Sequence, residues 1–271
     1  MTDSDPLPNH RQSEILDALR RAGGSARIQS LALALEVSDE TIRRNIRRLA
    51  EDGLVEKLHG GARLVERVDE ADLATRLLEN TGGKRRIAEH VAGLVPDGAA
   101  LFLDVGSTTS FIADALTGHQ RLTVFTNSVA VAYKLATRNR NRVYFAGGEL
   151  RAHDGGAFGP EALALLDYAA PDLAILSATG ICPDRGFLLA DLAEARLARA
   201  MIARAGRAIL AADSRKFHRI APVSLGDPAG VSLLVCDAAP PPDIRAAARI
   251  WGTEIQVAEG GPAQPERPDD V

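Results

Sequence analysis

The sequence predicts an α/β protein of two domains: a small helical domain that ends in a β-hairpin, and a larger domain around a mainly parallel sheet. Its 271 residues suffice for one small and one medium-sized domain. From residue 84 onward, apolar runs without apolar–polar alternation are separated by helical patterns, which favours a parallel sheet with both faces covered. Hydrophobic residues make up 46% and aromatic residues only 4% of the chain, which is typical of a core of Ala, Leu, Val and Ile.

Composition limits the classes of function. The net charge is −4, yet the segment 11–63 holds ten Lys and Arg against eight Asp and Glu, so a locally basic region precedes an acidic remainder. Cys182 and Cys236 lack the neighbours of a disulfide framework or metal site, and we expect reduced thiols. No apolar run approaches the ~20 residues of a membrane span, and the N-terminus has no apolar signal core. We therefore expect a cytoplasmic protein without metal, cofactor or membrane contact.

The stretch 38–49 predicts a helix suited to reading DNA. Ile42, Ile46 and Leu49 recur at helical spacing and would form one buried stripe, while Ser38 can cap the helix. Four arginines fall off this stripe and stay in water: Arg43, Arg44, Arg47 and Arg48. A short helix with an apolar back and several arginines is a candidate for the major groove of DNA. A solvated surface helix is the alternative.

The neighbouring segments supply the context that a DNA-reading helix needs. Helices are predicted over 11–22 and 28–35, and the short connection before Ser38 completes a helix-turn-helix order. Two β-like pieces, 54–58 and 62–65, are joined by His59-Gly60-Gly61 and predict a hairpin wing. Lys57, His59 and Arg63 would lie where a wing meets phosphates, although His59 can also be only a solvated turn residue.

The segment 11–63 resembles the winged helix-turn-helix of the DeoR family of bacterial transcriptional regulators. The residues that carry the resemblance are Thr41, Ile42, Arg43, Arg44, Leu49, Gly53, His59, Gly60, Gly61 and Ala62. Asn45 departs from the pattern, since the family usually has Asp there. The resemblance implies DNA contacts from the reading helix and the wing: Ser38, Thr41, Arg43, Arg44, Asn45, Arg47, Lys57, His59, Gly60 and Gly61. Arg48, adjacent to the buried stripe, is expected to serve only the surface.

The chain divides into five predicted regions. These are a disordered lead-in (1–9), the DNA-binding domain (10–66), a linker with a short helix over 73–78 (67–83), the α/β domain (84–259) and a disordered tail (260–271). In the α/β domain we predict strands over 100–103, 122–126, 143–146, 173–177, 208–211, 231–236 and 254–257. Helices are predicted over 84–94, 108–116, 128–137, 161–168, 192–205 and 243–251. Ligands of such sheets bind at the carboxyl ends of the strands.

Five strand ends carry polar or glycine residues that suit a phosphorylated ligand. Gly106, Ser107, Thr108 and Thr109 follow the first strand and open a helix, whose N-terminal amides and dipole favour an anion. The other strand ends bring Asn127, Gly148, Gly180 and Lys216. Ser107 can instead simply cap a helix, and each single strand end is also compatible with plain turn chemistry.

The region 84–257 is similar to the C-terminal sensor domain of the same family, which resembles ribose-5-phosphate isomerase in fold. The similarity implies a phosphorylated sugar or related metabolite as effector, with Gly106, Ser107, Thr108 and Thr109 on the phosphate and Lys216 as a point charge. It also implies hydroxyl contacts from Asp104 and Asn127, close approach at Gly148 and Gly180, and either a ligand contact or a plain surface position for Glu194. Two hypotheses follow: a repressor that binds operator DNA as a homodimer or homotetramer and is released by its effector, or a sugar-phosphate isomerase with a DNA-binding head. We expect the first, and hence no enzyme.

Overall fold

The computed structural model describes residues 10–22, 25–51, 55–64 and 71–259. The predicted disordered ends, 1–9 and 260–271, lie outside this part of the chain. Gly53, one of the residues that carry the family resemblance, and the first four residues of the predicted linker, 67–70, lie outside it as well.

Three helices of the N-terminal domain enclose one apolar core. They are α1 (His10–Arg21), α2 (Ile28–Ala34) and α3 (Asp39–Glu51). Ile42, Ile46 and Leu49 of α3 are at most 3% exposed and pack with Ile15 and Leu19 of α1. The buried stripe read from the sequence is therefore confirmed. Glu36, in the turn before α3, has a φ of 53°, so it reverses the chain in a left-handed conformation.

A three-stranded sheet completes this domain, one strand more than the predicted hairpin. Strands β2 (Val55–Leu58) and β3 (Gly61–Leu64) form the wing, and β1 (Ser25–Arg27) pairs antiparallel with β3. The connecting turn is His59-Gly60, and the φ of Gly60 is +79°, where glycine is favoured. Gly61 belongs to the strand, and a Cβ there would lie 2.6 Å from the Ala26 carbonyl oxygen. β1 was missed because three residues show no periodicity.

Much of the predicted linker belongs structurally to the larger domain. Its helical piece, α4 (Leu73–Leu78), has the predicted bounds, and α5 (Thr81–Gly93) begins three residues before the predicted start of the domain. The Leu73 amide donates to the His153 carbonyl at 2.8 Å, and the buried Lys84 ammonium donates to backbone carbonyls of Arg76 and Glu79. These contacts fix residues 73–84 against the α/β domain.

The larger domain is built on a seven-stranded sheet in which each adjacent pair of strands is parallel. Its strands are β4 (Ala100–Leu103), β5 (Thr123–Thr126), β6 (Arg142–Phe145), β7 (Leu173–Leu176), β10 (Arg207–Ala211), β12 (Leu233–Cys236) and β13 (Glu254–Val257). Their order is β13-β12-β10-β7-β4-β5-β6. Each prediction of these strands is confirmed to within two residues. The chain runs outward from β4 to β6 and returns to the other side at β7, so β4 and β7 flank the point where the strand order reverses.

Helices cover both faces of this sheet, as the continuous apolar runs predicted. They are α6 (Ser107–Ala115), α7 (Val129–Ala136), α8 (Pro160–Leu166), α9 (Leu192–Arg204) and α10 (Pro242–Trp251), in addition to α5. Along β4, Leu101 and Leu103 join the core beneath α5 and α6, whereas Phe102 joins the core on the opposite face. Alternate side chains of one strand thus fill two cores.

A second, antiparallel sheet interrupts the strand–helix alternation, and no strand was predicted over its residues. It contains β8 (Gly180–Cys182), β9 (Gly186–Leu189) and β11 (Val223–Ser224), in the order β11-β9-β8. Residues of β8 and β9 are fully buried, and these strands are too short and too uniformly apolar to show a period of two. The sheet places Leu189 beside the carboxyl end of β7.

Candidate DNA-binding surface and effector cleft

Helix α3 presents its arginines to solvent at the place predicted for DNA contact. Ser38 lies just before the helix, where its Oγ accepts a hydrogen bond from the Thr41 amide at 3.3 Å and lies 2.9 Å from the Thr41 hydroxyl. This cap fixes the start of the helix. Arg43, Arg44 and Arg47 are exposed, and so is Arg48. Because all four arginines are exposed, their exposure does not distinguish Arg48, expected to serve only the surface, from the three expected to contact DNA.

Asn45 lies with the core of α3 and not with its exposed arginines. It is 6% exposed, and its Nδ2 donates to the Thr41 carbonyl one turn earlier, at 2.8 Å. The predicted DNA contact by Asn45 is not supported by this position, because a buried amide bonded to its own helix cannot reach a phosphate. Asn45 precedes Ile46 of the buried stripe, and packing of α3 buries it as well.

The wing exposes some of its predicted contact residues and buries others. Lys57, His59 and Gly60 are exposed, whereas Gly61 is buried by its pairing with β1. Arg63 was expected to meet phosphates, but its side chain is 4% exposed and donates to Glu56 at 2.6 Å. Its Nη2 also lies 3.7 Å from an Asp184 carboxylate oxygen in the β8–β9 turn. Burial lowers the pKa of Arg63, but the hydrogen bond and charge of Glu56 outweigh it and hold that pKa above its ordinary value.

A cleft opens in the larger domain where the strand order reverses. Residues from the carboxyl ends of β4 and β7 line it together with side chains from α4, α9 and the loop after β6: Arg76, Asp104, Val105, Gly106, Asp154, Ser177, Ala178, Thr179, Leu189 and Glu194. Ligands of open α/β sheets bind at such a reversal point. Of the five strand ends expected to form the site, those after β4 and β7 line the cleft with the residues that directly follow them.

One wall of the cleft is the N-terminus of helix α6. Gly106 precedes the first turn and lines the cleft, and a Cβ on it would lie 3.2 Å from the Thr109 hydroxyl. Ser107, Thr108 and Thr109 form the buried first turn, so they act from behind the cleft surface. The Thr108 hydroxyl is buried and finds no hydrogen-bond partner among the residues that the structure describes. The first-turn amides and the helix dipole make this wall favourable for an anion.

Asp104 has an unusual protonation equilibrium. Burial raises the pKa of its carboxyl to about 7, and the nearby charge of Glu194 adds to this, while the Val105 amide, the Asn127 side chain and Arg151 oppose it. The Val105 amide donates to Asp104 at 2.8 Å and to Asn127 Oδ1 at 3.0 Å. Asn127 is fully buried and therefore positions the loop after β4, without lining the cleft itself. Near pH 7, Asp104 can both donate and accept hydrogen bonds.

An arginine at the back of the cleft organises its carboxylates. Arg151 donates to Glu194 at 2.6 Å and also bonds Asp154 and Asp191. Burial lowers its pKa, but the hydrogen bonds to Asp154 and Glu194 outweigh this and hold that pKa above the ordinary value. The Arg151 guanidinium also lies 3.8 Å from the centre of the Phe158 ring. Arg151 thus holds the carboxylates of two cleft residues, Asp154 and Glu194, in fixed orientations.

Sequence reasoning included Glu194 in the site but missed its partners. Arg151 and Asp154 lie in a loop without a periodic pattern, and Arg76 lies in the predicted linker. The signal that could have found them is charge: Arg151 and Asp154 follow the Gly147-Gly148 strand end, three residues apart. Spacing along the chain could not show that α9 brings Glu194 to the same place.

Three other predicted effector residues do not line the cleft. Gly148 is exposed, with a φ of +112° beside Glu161. Gly180 is buried in β8, where a side chain would collide with the Arg219 backbone, so packing and not a ligand explains the glycine. Lys216 is 6% exposed in a 3₁₀ turn that Asp213 caps. The expected cleft contacts of Gly148, Gly180 and Lys216 are therefore not supported by their positions.

The described part of the chain offers neither a metal site nor a membrane-spanning helix. Among its residues, no group of three or more His, Cys, Asp and Glu side chains is arranged to hold a metal ion. None of the described helices has the length and hydropathy needed to cross a membrane. Cys182 and Cys236 are both free thiols in buried positions. Burial raises the pKa of Cys236 to about 12, so this thiol stays protonated near neutral pH.

Comparison with known proteins matches both domains to one family. Residues 11–68 match the DeoR-like helix-turn-helix domain, and residues 79–238 match the DeoR C terminal sensor domain. The second match begins in the segment that the sequence predicted to be a linker, in agreement with the contacts of residues 73–84.

Similar full-length proteins cover nearly the whole chain. The HTH-type transcriptional repressor CsqR of Escherichia coli K12 is 35% identical over 95% of this chain and 97% of its own. The glycerol-3-phosphate regulon repressor of the same strain is 36% identical over 85% and 91%. A solved ribose 5-phosphate isomerase A from Methanocaldococcus jannaschii aligns over 51% of this chain and 55% of its own, at 18% identity and a TM-score of 0.39. The family matches and the curated relatives decide the assignment: the chain belongs to the DeoR family of DNA-binding transcriptional regulators.

Proposed function

We propose that this regulator represses a carbohydrate-metabolism operon and leaves its operator when a phosphorylated sugar or a related metabolite binds the cleft. Two relatives that align with most of the chain carry names of repressors, and one of those names refers to the glycerol-3-phosphate regulon. The exposed arginines of α3 and the exposed wing residues Lys57 and His59 support the DNA side of the proposal. The cleft supports its effector side.

The cleft is the observation that carries the effector proposal. Its α6 wall favours an anion, whereas Asp104, Asp154 and Glu194 offer carboxylate oxygens that accept hydrogen bonds from hydroxyl groups. Ser177 and Thr179 add hydroxyls beside them. A ligand with one phosphate and several hydroxyl groups satisfies both kinds of group, whereas a ligand with a second anionic group would face carboxylates.

The proposed operator complex contains two reading helices. A helix-turn-helix dimer places its recognition helices in successive major grooves, and the two-fold symmetry of the protein then matches paired half-sites. We propose a homodimer or homotetramer for this reason. Effector binding would favour a subunit arrangement with a different spacing of the reading helices, for which a coupling of about 1–3 kcal/mol suffices.

A sugar-phosphate isomerase is the second candidate, because Asp104 and Glu194 are acid–base groups in one cleft. Two further acid–base groups that follow strands of the sheet lie elsewhere: Glu149 is exposed after β6, and Lys216 is buried outside the cleft. We therefore propose a sensor without catalytic activity. Incubation with pentose and hexose phosphates tests this, because sustained turnover would contradict it.

DNA binding and its release test the whole proposal. A labelled fragment from upstream of the protein's own gene is titrated with the protein, alone and with glycerol 3-phosphate, ribose 5-phosphate or fructose 6-phosphate. We expect binding to the fragment and release by at least one phosphate. Arg44→Ala is expected to weaken binding, since the arginine is exposed on the reading helix. Failure of all phosphates in a broad panel would contradict the effector class, and failure to bind DNA would contradict the operator assignment.

A further inference from the structure

Arg76 connects the cleft with the segment that leads to the DNA-binding domain. Arg76 is 6% exposed and lines the cleft. It belongs to α4, the first helix that the structure describes after the wing strand β3. Sequence spacing had placed it in a linker. A ligand in the cleft would therefore touch the part of the chain that joins the two domains.

Helix α4 is held by hydrogen bonds at both of its ends and by packing against α6. Its first amide, from Leu73, donates to His153, the residue before the cleft carboxylate Asp154. The Arg76 carbonyl accepts a hydrogen bond from Lys84 Nζ, and Arg76 Nε donates to the Ala71 carbonyl at 2.8 Å. Helix α4 also packs against α6, whose N-terminus forms the anion-favouring wall. Helix α4 is thus bonded to the loop that carries Asp154 and packed against the helix whose N-terminus forms the anion-favouring wall.

The charge of Arg76 differs from that of its neighbours in the cleft. Among the cleft-lining residues that the structure describes, Arg76 is the one cation, beside Asp104, Asp154 and Glu194. A guanidinium presents planar, paired donors that match phosphate oxygens. We propose that Arg76 binds the effector's phosphate together with the N-terminus of α6, and that α4 transmits this binding to the DNA-binding domain. This inference rests on the proposed function.

The test separates ligand binding, DNA binding and their coupling in the full-length protein. Arg76→Ala and Arg76→Lys are compared with Arg85→Ala, which removes a cation from an exposed position on α5. Calorimetry measures the affinity for whichever of glycerol 3-phosphate, ribose 5-phosphate and fructose 6-phosphate the wild type binds. Fluorescence anisotropy measures DNA affinity with and without that phosphate at saturation.

We expect Arg76→Ala to lose about tenfold or more in phosphate affinity, the loss typical of one charge-assisted hydrogen-bond partner. Arg76→Lys should lose less. DNA affinity without phosphate should stay within about twofold, and Arg85→Ala should change neither affinity by more than that. The factor by which saturating phosphate weakens DNA binding, about 5–150-fold in typical allosteric proteins, should fall towards one in Arg76→Ala.

Two results would overturn the inference while leaving the proposed function intact. One is phosphate binding by Arg76→Ala at wild-type affinity, and the other is a full DNA response in that variant at saturating phosphate. If Arg76→Ala does not fold, hydrogen exchange of residues 71–79 in the wild type decides: slower exchange with phosphate supports the inference, and unchanged exchange contradicts it. A wild type that binds none of the phosphates contradicts the proposed effector class and this inference with it.

Discussion

The protonation of Asp104 depends more on its surroundings than on its residue type. In water its carboxyl would be ionised above pH 4, as its ordinary pKa of 3.8 implies, but burial and Glu194 raise that pKa to about 7 in the folded protein. The folded state therefore holds a proton that the unfolded chain has already released. Stability linked to Asp104 is present below the unfolded pKa and is lost as the pH rises through the folded pKa.

We therefore expect Asp104→Asn to stabilise the protein by an amount that depends on pH. An amide does not ionise, so the variant should gain melting temperature relative to wild type progressively between about pH 4 and pH 7, and hold that gain above pH 7. Thermal unfolding at pH 5, 6, 7 and 8 measures it, with Glu89→Gln on the exposed face of α5 as the control. A difference that does not vary with pH would show that the pKa of Asp104 is not raised.

At the scale of the element, α3 combines a packing face with a solvent face, and Asn45 lies on the boundary. Ile42 and Ile46 bury one side, Arg43, Arg44 and Arg47 project from the other, and the Asn45 amide bonds the backbone of its own helix. The family resemblance treats this position as part of the arginine motif. The structure makes it a support for the helix.

Asn45→Ala is expected to lower stability without changing the electrostatic part of DNA binding. Loss of the hydrogen bond to Thr41 should cost about 0.5–1.5 kcal/mol of unfolding free energy, as for a typical intramolecular hydrogen bond. In Asn45→Ala, the slope of log DNA affinity against log salt concentration should stay as in wild type. Loss of one phosphate contact lowers that slope by about one, and this is the result expected for Arg44→Ala where Arg44 contacts a phosphate. Urea denaturation and anisotropy titrations at several salt concentrations measure both. A changed slope with unchanged stability would restore Asn45 as a DNA contact.

At the scale of the whole molecule, the wing of the N-terminal domain contacts the β8–β9 turn of the larger domain. Arg63 is buried in the wing and lies 3.7 Å from Asp184, whose side chain is 77% exposed. An exposed partner contributes little to stability, since solvent screens the pair. The buried arginine contributes more, because its removal takes away packing as well as its hydrogen bond to Glu56.

Arg63→Ala and Asp184→Ala should therefore have unequal effects. Arg63→Ala is expected to lower the unfolding free energy by about 1–3 kcal/mol, in the range of a lost hydrogen bond to a charged group. For Asp184→Ala we expect a change within about 0.5 kcal/mol, as for most surface substitutions. Chemical denaturation of both variants measures this. Equal losses would mean that the contact between wing and turn carries much of the stability.

Local sequence patterns predicted most of the secondary structure of this molecule, because the spacing of apolar residues distinguishes helices from buried strands. The stripe of α3, the seven strands of the parallel sheet and the polar ends of β4 and β7 were all readable from the sequence. Very short strands such as β1 and β8 were not, since three residues carry no period. The role of a glycine at a strand end could not be predicted from the sequence either. Gly106 lines the cleft, whereas Gly180 makes room for the Arg219 backbone.

The family, the two-domain plan, the DNA-reading helix and the anion-favouring loop after β4 could be predicted from the sequence, because each depends on residues close together in the chain. The set of residues that forms the cleft could not, because it depends on how distant segments pack. Arg76, Arg151 and Glu194 come from three segments that no spacing rule connects, and the fold brings them together at the reversal of strand order. It also turned Asn45 and Arg63 inward, because burial depends on what packs against a residue and not on its position in a motif.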